Sequence, residues 1–325
     1  EDYKEVVKCA MKFEDLPDEK VFNYLLRSLG NLADWKSLQA LFEGLCNHNE
    51  LPNIELYGIT MYALSYKGNY SQNLELFKNI RSRKMMPSTL VYMSMIRSAY
   101  YTGRFKDCIK WFTKYMAFKK KMHVMGDSVN SAPEATLHKD SALELRAVWT
   151  MVMQSYSRTK RPDVVLKMLD LMEKEEVKTL DGTPSTPDLK IYSTALFSVA
   201  NVGDYKKCEH IMETIRKDPT IKPDDVLMSI YMKGYYNGEK FMKVGEIFLE
   251  LQSKYNVEPG PNTMAVFMAS LLKTKQIKKF EHYLYIVSLK KEFLSPDIFK
   301  VFIRYYCLLY DFKHARRVLD RMSTM

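Results

Sequence analysis

The sequence predicts an all-α fold, a right-handed α-solenoid of about eight helical hairpins, and three observations predict it. Large apolar residues recur in the same columns at a basic period of 35 residues. Within each period the apolar positions form two stripes at helical spacing. Proline and glycine punctuate the periods at matching places: 18 residues separate Pro52 from Tyr70, Pro87 from Phe105 and Pro187 from Tyr205. A hairpin of two helices cannot bury both of its apolar stripes alone, whereas a stack of hairpins can.

The register starts each unit at the residue after the proline. Units then begin at Asp18, Asn53, Ser88, Leu145, Asp188, Asp224, Gly260 and Ser295, with spacings of 35, 35, 57, 43, 36, 36 and 35. Six of them follow Pro17, Pro52, Pro87, Pro187, Pro223 and Pro259 directly. The ninth place is Leu26, Met61, Ile96, Met153, Leu196, Met232, Met268 and Ile303. The twenty-fifth is Phe42, Phe77, Phe112, Leu169, Met212, Phe248, Leu284 and Leu319, and the twenty-eighth is just as apolar from Leu45 to Met322.

Taken in order, residues 1–17 read as the second helix of a preceding unit, with Val7 and Ala10 at its twenty-fifth and twenty-eighth places. In each full unit, apolar places 5, 8, 9 and 12 mark a first helix and places 18, 21, 24, 25 and 28 a second. Gly68, Gly103 and Gly203 stand between the two stripes, where a helix C-terminus favours positive φ. Proline after the second helix stops it and opens the next unit, where no N–H donor is required. Two segments interrupt the period. Residues 123–144 are polar with glycine and proline and read as an inserted loop, closed by Ser141 and Glu144 as a capping box. Residues 180–187 read as a shorter loop. The expectation is one solenoid over 1–325, cut from a longer one, since neither end reads as a polar cap.

Composition narrows the function classes. The chain has 325 residues and a net charge of +10, which favours a polyanionic partner, either nucleic acid or an anionic membrane surface. No apolar run reaches the ~18 residues that a membrane span needs. The opening "EDYKEVVKCAMKF" has no secretory-signal pattern. Five scattered cysteines without a CxxC pair fit reduced thiols, and Cys108 and Cys208, both at the twenty-first place, read as buried packing residues. No HExxH, GxxxxGK, GxGxxG or GxSxG pattern occurs. The expectation is a binding protein: no enzyme, no cofactor and no metal.

The pattern resembles the pentatricopeptide repeat family. "ELYGITM" (55–61), "LVYMSMI" (90–96) and "KIYSTAL" (190–196) are similar to the start of its 35-residue unit. "ALFEGL" (40–45), "ELFKNI" (75–80) and "EIFLEL" (246–251) are similar to its Leu-Phe segment. The uniformly large ninth place separates the chain from tetratricopeptide repeats, which need a small residue there. The resemblance is to a divergent, organellar type, and it implies binding of single-stranded RNA at about one base per unit. It further implies that the sixth residue of a unit and the first of the next face the base. Carried onto this chain, that gives Asn23 with Asn53, Thr150 with Asp188, and Ser193 with Asp224. The other units depart from the pattern, with Gly58, Met93, Ser229, Ala265 and Lys300 at the sixth place and Glu55, Lys190, Asn262 or Asp297 at the third. Arg27, Arg97, Lys233 and Arg304 at the tenth place are the phosphate candidates, and Tyr62, Tyr66 and Tyr101 the candidates for base stacking.

The expected function is sequence-selective RNA binding in mitochondrial gene expression, acting on transcript stability, processing or translation. The ribosome and other RNA-processing proteins are further expected partners. The alternative is a helical-repeat scaffold for protein interactions or a ribosome-associated assembly factor using the same surface.

Overall fold

The computed structural model describes residues 28–29, 53–66, 68–124, 141–174 and 186–323. Residues 1–17, most of the unit starting at 18, and the central parts of both expected loops lie outside them. Over the described residues the chain forms fourteen α-helices and no strand. They fall into two compact units, and the division comes between the two helices of the repeat that starts at 145.

The first unit holds α1 (Ile54–Ser65), α2 (Tyr70–Ser82), α3 (Thr89–Tyr101), α4 (Phe105–Val124) and α5 (Ser141–Arg158). The second holds α6 (Pro162–Glu173), α7 (Leu189–Asn201), α8 (Tyr205–Lys217), α9 (Asp225–Asn237), α10 (Phe241–Ser253), α11 (Pro261–Lys273), α12 (Ile277–Leu289), α13 (Pro296–Leu308) and α14 (Phe312–Ser323). In each unit the first helices of successive repeats pile on one another: α1, α3 and α5 in one, α7, α9, α11 and α13 in the other. Most second helices pack against the first helix of the next repeat, as α2 does on α3 and α8 on α9.

The apolar columns account for this packing. Met61, Ile96, Met153, Leu196, Met232 and Met268, all at the ninth place, are fully buried. So are Ile80, Met172, Leu251 and Val287 at the twenty-eighth. Each such side chain contributes about 1.5–3 kcal/mol by leaving water. Aromatic rings weld successive hairpins: Phe248 on α10 stacks on Phe267 on α11 with centroids 3.9 Å apart. Phe112 on α4 meets Trp149 on α5 edge to face at 5.5 Å. The column fails at the last hairpin, where Leu319 is 54% exposed. Among the described residues no further first helix packs on that side of α14.

Helix starts obey the register closely. Asn53, Ser88, Asp188, Asp224 and Ser295, each at the first place, accept a hydrogen bond from the backbone N–H three residues on. Gly260 has no side chain to cap with, and the preceding repeat supplies one instead. Asp225 Oδ1 accepts from Gly260 N at 2.8 Å and from Thr263 Oγ1 at 2.6 Å. In the repeat at 145, α5 begins at Ser141, where the sequence places a capping box, so the helix takes in the last residues of the expected loop, while α4 runs on to Val124. Leu145, the first place of that repeat, is therefore inside a helix.

Hairpin turns follow a stricter rule than glycine placement suggests. Gly68, Gly103 and Gly203 have φ of 67°, 71° and 74°, as a helix C-terminus in the left-handed region requires. Lys160, Glu239, Lys275 and Tyr310 hold the same sixteenth place in the other repeats, with φ between 57° and 60°. The turn geometry is common to all seven hairpins described, and only three of them use the residue that adopts it without steric cost.

Candidate nucleic-acid interface

The piled first helices of the second unit enclose a groove of about 460 Å³. Its lining follows the repeat register. The third, sixth, seventh and tenth places of α9 are Val226, Ser229, Ile230 and Lys233, and those of α11 are Asn262, Ala265, Val266 and Ala269. On α13 the same places are Asp297, Lys300, Val301 and Arg304. Phe197 from the tenth place of α7 and Tyr236 and Asn237 from α9 complete it. The cause is helical geometry. Places 3, 6, 7 and 10 share one face of a helix. Places 8, 9 and 12 point the other way, into the core.

The groove has an apolar floor and a cationic rim. Val226 is 56% exposed. Lys233 Nζ lies 5.4 Å from the centroid of Phe197, its charge set over an aromatic face. Arg304 is exposed and donates from Nη1 to the Tyr236 hydroxyl at 3.2 Å. Lys300 Nζ pairs with Asp297 Oδ1 at 2.7 Å, an exposed pair that a phosphate can replace at small cost. Lys233, Lys300 and Arg304 face one carboxylate, Asp297, in the lining, so the groove carries net positive charge.

Asn23 and Arg27 lie outside the described residues. Asn53, Asp188 and Asp224 stand at helix N-termini, where their Oδ1 atoms accept from Leu56 N at 2.8 Å, Ile191 N at 2.9 Å and Leu227 N at 2.8 Å. Ser193 Oγ donates to Leu189 O at 2.7 Å and Thr150 Oγ1 to Arg146 O at 2.9 Å. Thr150 and Asp188 belong to different units of the fold. Lys233 and Arg304 share the groove. Arg97 is no surface cation: it is 6% exposed, with Cζ 4.8 Å and 4.5 Å from the ring centroids of Tyr62 and Tyr66. Those two tyrosines join their hydroxyls at 2.7 Å.

Sequence reasoning passed over Ser229, Asn237 and Lys300 as contributors to the groove. For Ser229 and Lys300 the signal was the sixth place, which the resemblance turns toward the base; Asn237, at the fourteenth place, carried no such signal. What hid them was the search for matched polar pairs rather than for a continuous face.

Away from the groove, a polar network binds three helices of the second unit. Glu209 on α8 accepts from the hydroxyls of Tyr231 and Tyr235 on α9, and from Arg216 Nη1 at 3.1 Å. Arg216 Nη2 reaches Glu250 on α10 at 3.4 Å. Burial raises the Glu209 carboxyl, but the bonds from Tyr231, Tyr235 and Arg216 outweigh it and hold the group below the usual range. Burial, and then the bond to Glu209, push the Tyr235 phenol up to about 12. The Cys108 and Cys208 thiols are buried, and burial pushes them up to about 11 and about 12, which leaves them unreactive. Among the described residues, no group of three or more His, Cys, Asp or Glu could hold a metal ion. No helix among them is long and apolar enough to cross a membrane.

No protein-family model matches the sequence. A pentatricopeptide repeat-containing protein of Arabidopsis thaliana is 23% identical over 174 residues, which are 50% of this chain and 23% of that protein. The crystal structure of the pentatricopeptide repeat protein PPR10 in complex with an 18-nt psaJ RNA element superposes over 99% of this chain with a TM-score of 0.72 and 16% identity. A form of the same protein with three cysteines replaced by serine, on the same RNA element, gives the same figures. This chain spans 42% of the PPR10 chain.

Proposed function

We propose that this chain, which has the pentatricopeptide repeat fold, binds single-stranded RNA along the face formed by its first helices. The observation that carries the proposal is the groove of the second unit. Three successive first helices present their third, sixth, seventh and tenth places to one cationic channel, and α7 adds its tenth, Phe197. The exposed Asn262 amide suits a base edge, while Lys233, Lys300 and Arg304 suit phosphates; Ser229 donates its hydroxyl to Val226 O and Asn237 its amide to Ala200 O. PPR10, whose fold this chain shares, is solved with an RNA element. Selectivity for sequence is weaker in this reading than in a fully coded repeat array, because Ala265 and Lys300 fill sixth places with an apolar and a long cationic side chain.

We further propose that the protein acts by occupying a transcript in the mitochondrion, and so governs its stability, processing or translation. The family resemblance of the sequence supports this. Crosslinking the native protein to RNA in isolated mitochondria and sequencing the bound fragments tests both parts. Discrete footprints on organellar transcripts are expected, and recovery of no RNA above background overturns the reading. The apolar floor of the groove favours a second reading, an extended peptide in place of RNA, and crosslinks to protein alone would establish it.

A further inference from the structure

The first unit offers a different surface on the same helical face. The sixth places of α1, α3 and α5 are Gly58, Met93 and Thr150, all buried. Leu90 fills the space beside Gly58, 3.1 Å from where a β-carbon would stand. Thr150 spends its hydroxyl on Arg146 O. None of the three presents a hydrogen-bonding group to a base. The tenth and fourteenth places of α1 and α3, by contrast, are Tyr62, Tyr66, Arg97 and Tyr101. Tyr66 is 49% exposed and Tyr101 is 52% exposed. Arg97 is buried beside them; among the described residues no carboxylate pairs with it and its Nη1 has no hydrogen-bond partner. The Arg97 guanidinium lies over one face of the Tyr66 ring, 4.5 Å from its centroid, and about half of the residue stays exposed. Tyr62 and Tyr66 meet edge to face with centroids 5.1 Å apart, which fixes the Tyr66 ring from a second direction.

We infer that the repeats starting at Asn53 and Ser88 grip single-stranded RNA without reading it, by stacking bases on Tyr66 and Tyr101, with buried Arg97 bracing the Tyr66 ring. The inference rests on the RNA-binding reading above and deepens it. The described repeats of the first unit, whose sixth places offer no free hydrogen-bonding group, supply grip, and the groove of the second unit supplies selectivity. Every base has a π face, so an aromatic platform holds each of them, and the neighbouring uncompensated cation favours a polyanion over a neutral ligand.

The test compares the whole chain with the double variant Tyr66→Leu, Tyr101→Leu on oligo(U), oligo(A), oligo(C) and an abasic strand of equal length. Affinity for all three homopolymers is expected to fall by roughly tenfold or more, given the strength of base–aromatic stacking. Binding to the abasic strand, and the dependence of binding on salt, are expected to stay as in the wild type. The variant Tyr66→Phe, Tyr101→Phe keeps the rings and is expected to bind as the wild type does. Circular dichroism confirms that both variants remain helical. Equal loss on the abasic strand, or loss confined to one base, overturns the platform. Homopolymer binding unchanged in the leucine variant, while wild type binds, overturns the platform and spares the RNA reading. A wild type that binds no strand overturns both.

Discussion

A β-carbon on Gly203 would stand 2.9 Å from the carbonyl oxygen of Asn237, the last residue of the next repeat's first helix. The hairpin turn of one repeat therefore sits on the end of the helix that follows it in the pile. Gly203 also has φ of 74°, so two independent costs meet in one residue. Gly103, at the same place of an earlier repeat with φ of 71°, has nothing within 4 Å of its would-be β-carbon. Gly103→Ala is expected to lower stability by about 1 kcal/mol, the cost of the left-handed conformation alone. Gly203→Ala is expected to lower it by about 2–4 kcal/mol, because backbone must also shift. Denaturant titration of the two variants side by side checks the difference, and equal losses would show that the close approach relaxes freely.

The non-glycine turns lead to the opposite prediction. Lys275 holds φ of 59° on an exposed turn, so Lys275→Gly removes steric cost and is expected to raise stability by about 0.5–1 kcal/mol. Lys279→Gly, four residues on and inside α12, is expected to lower it by about 1 kcal/mol. Thermal unfolding of the pair gives opposite shifts in Tm if the sixteenth place is set by the turn rather than by the residue.

The network on Glu209 makes stability depend on pH at both ends. Its carboxyl is held below the usual value, so its contribution is present above the unfolded pKa and is lost as pH falls through the folded one. The Tyr235 phenol is pushed up to about 12, so its contribution is intact below the unfolded pKa of about 10 and is lost as pH rises from there through about 12. Glu209→Gln is expected to flatten the acid limb and to shrink the alkaline one, since an amide does not hold the phenol protonated as a carboxylate does. Unfolding midpoints measured from pH 3 to pH 11.5 would show an unchanged profile if the network carries no linkage.

The groove cations should be visible in the salt dependence of RNA binding. Lys300→Ala with Arg304→Ala is expected to reduce the log–log slope against salt by about 0.7 for each phosphate contact removed. Sequence preference, determined by binding selection on randomised RNA, is expected to stay the same. A changed preference with an unchanged slope would mean that these side chains touch bases instead.

The sequence by itself determined the repeat. A column such as Met61, Ile96, Met153, Leu196, Met232 and Met268 records burial directly, because only a helix face turned into a continuous core excludes polar residues from the same place in every unit. Caps at Asn53, Ser88, Asp188, Asp224 and Ser295 were legible for the same local reason: a short polar side chain before an apolar stripe satisfies a nearby N–H. Tertiary structure decided what local rules cannot encode. Glu239, Lys275 and Tyr310 adopt a glycine's conformation because packing of the two helices fixes the turn between them. Arg97 reads as a surface cation from its place in the repeat, yet Tyr62 and Tyr66 from the neighbouring repeat close over it. Which outward places join into a groove likewise depends on side chains brought together from helices some 35 residues apart, and only the stacked fold makes them neighbours.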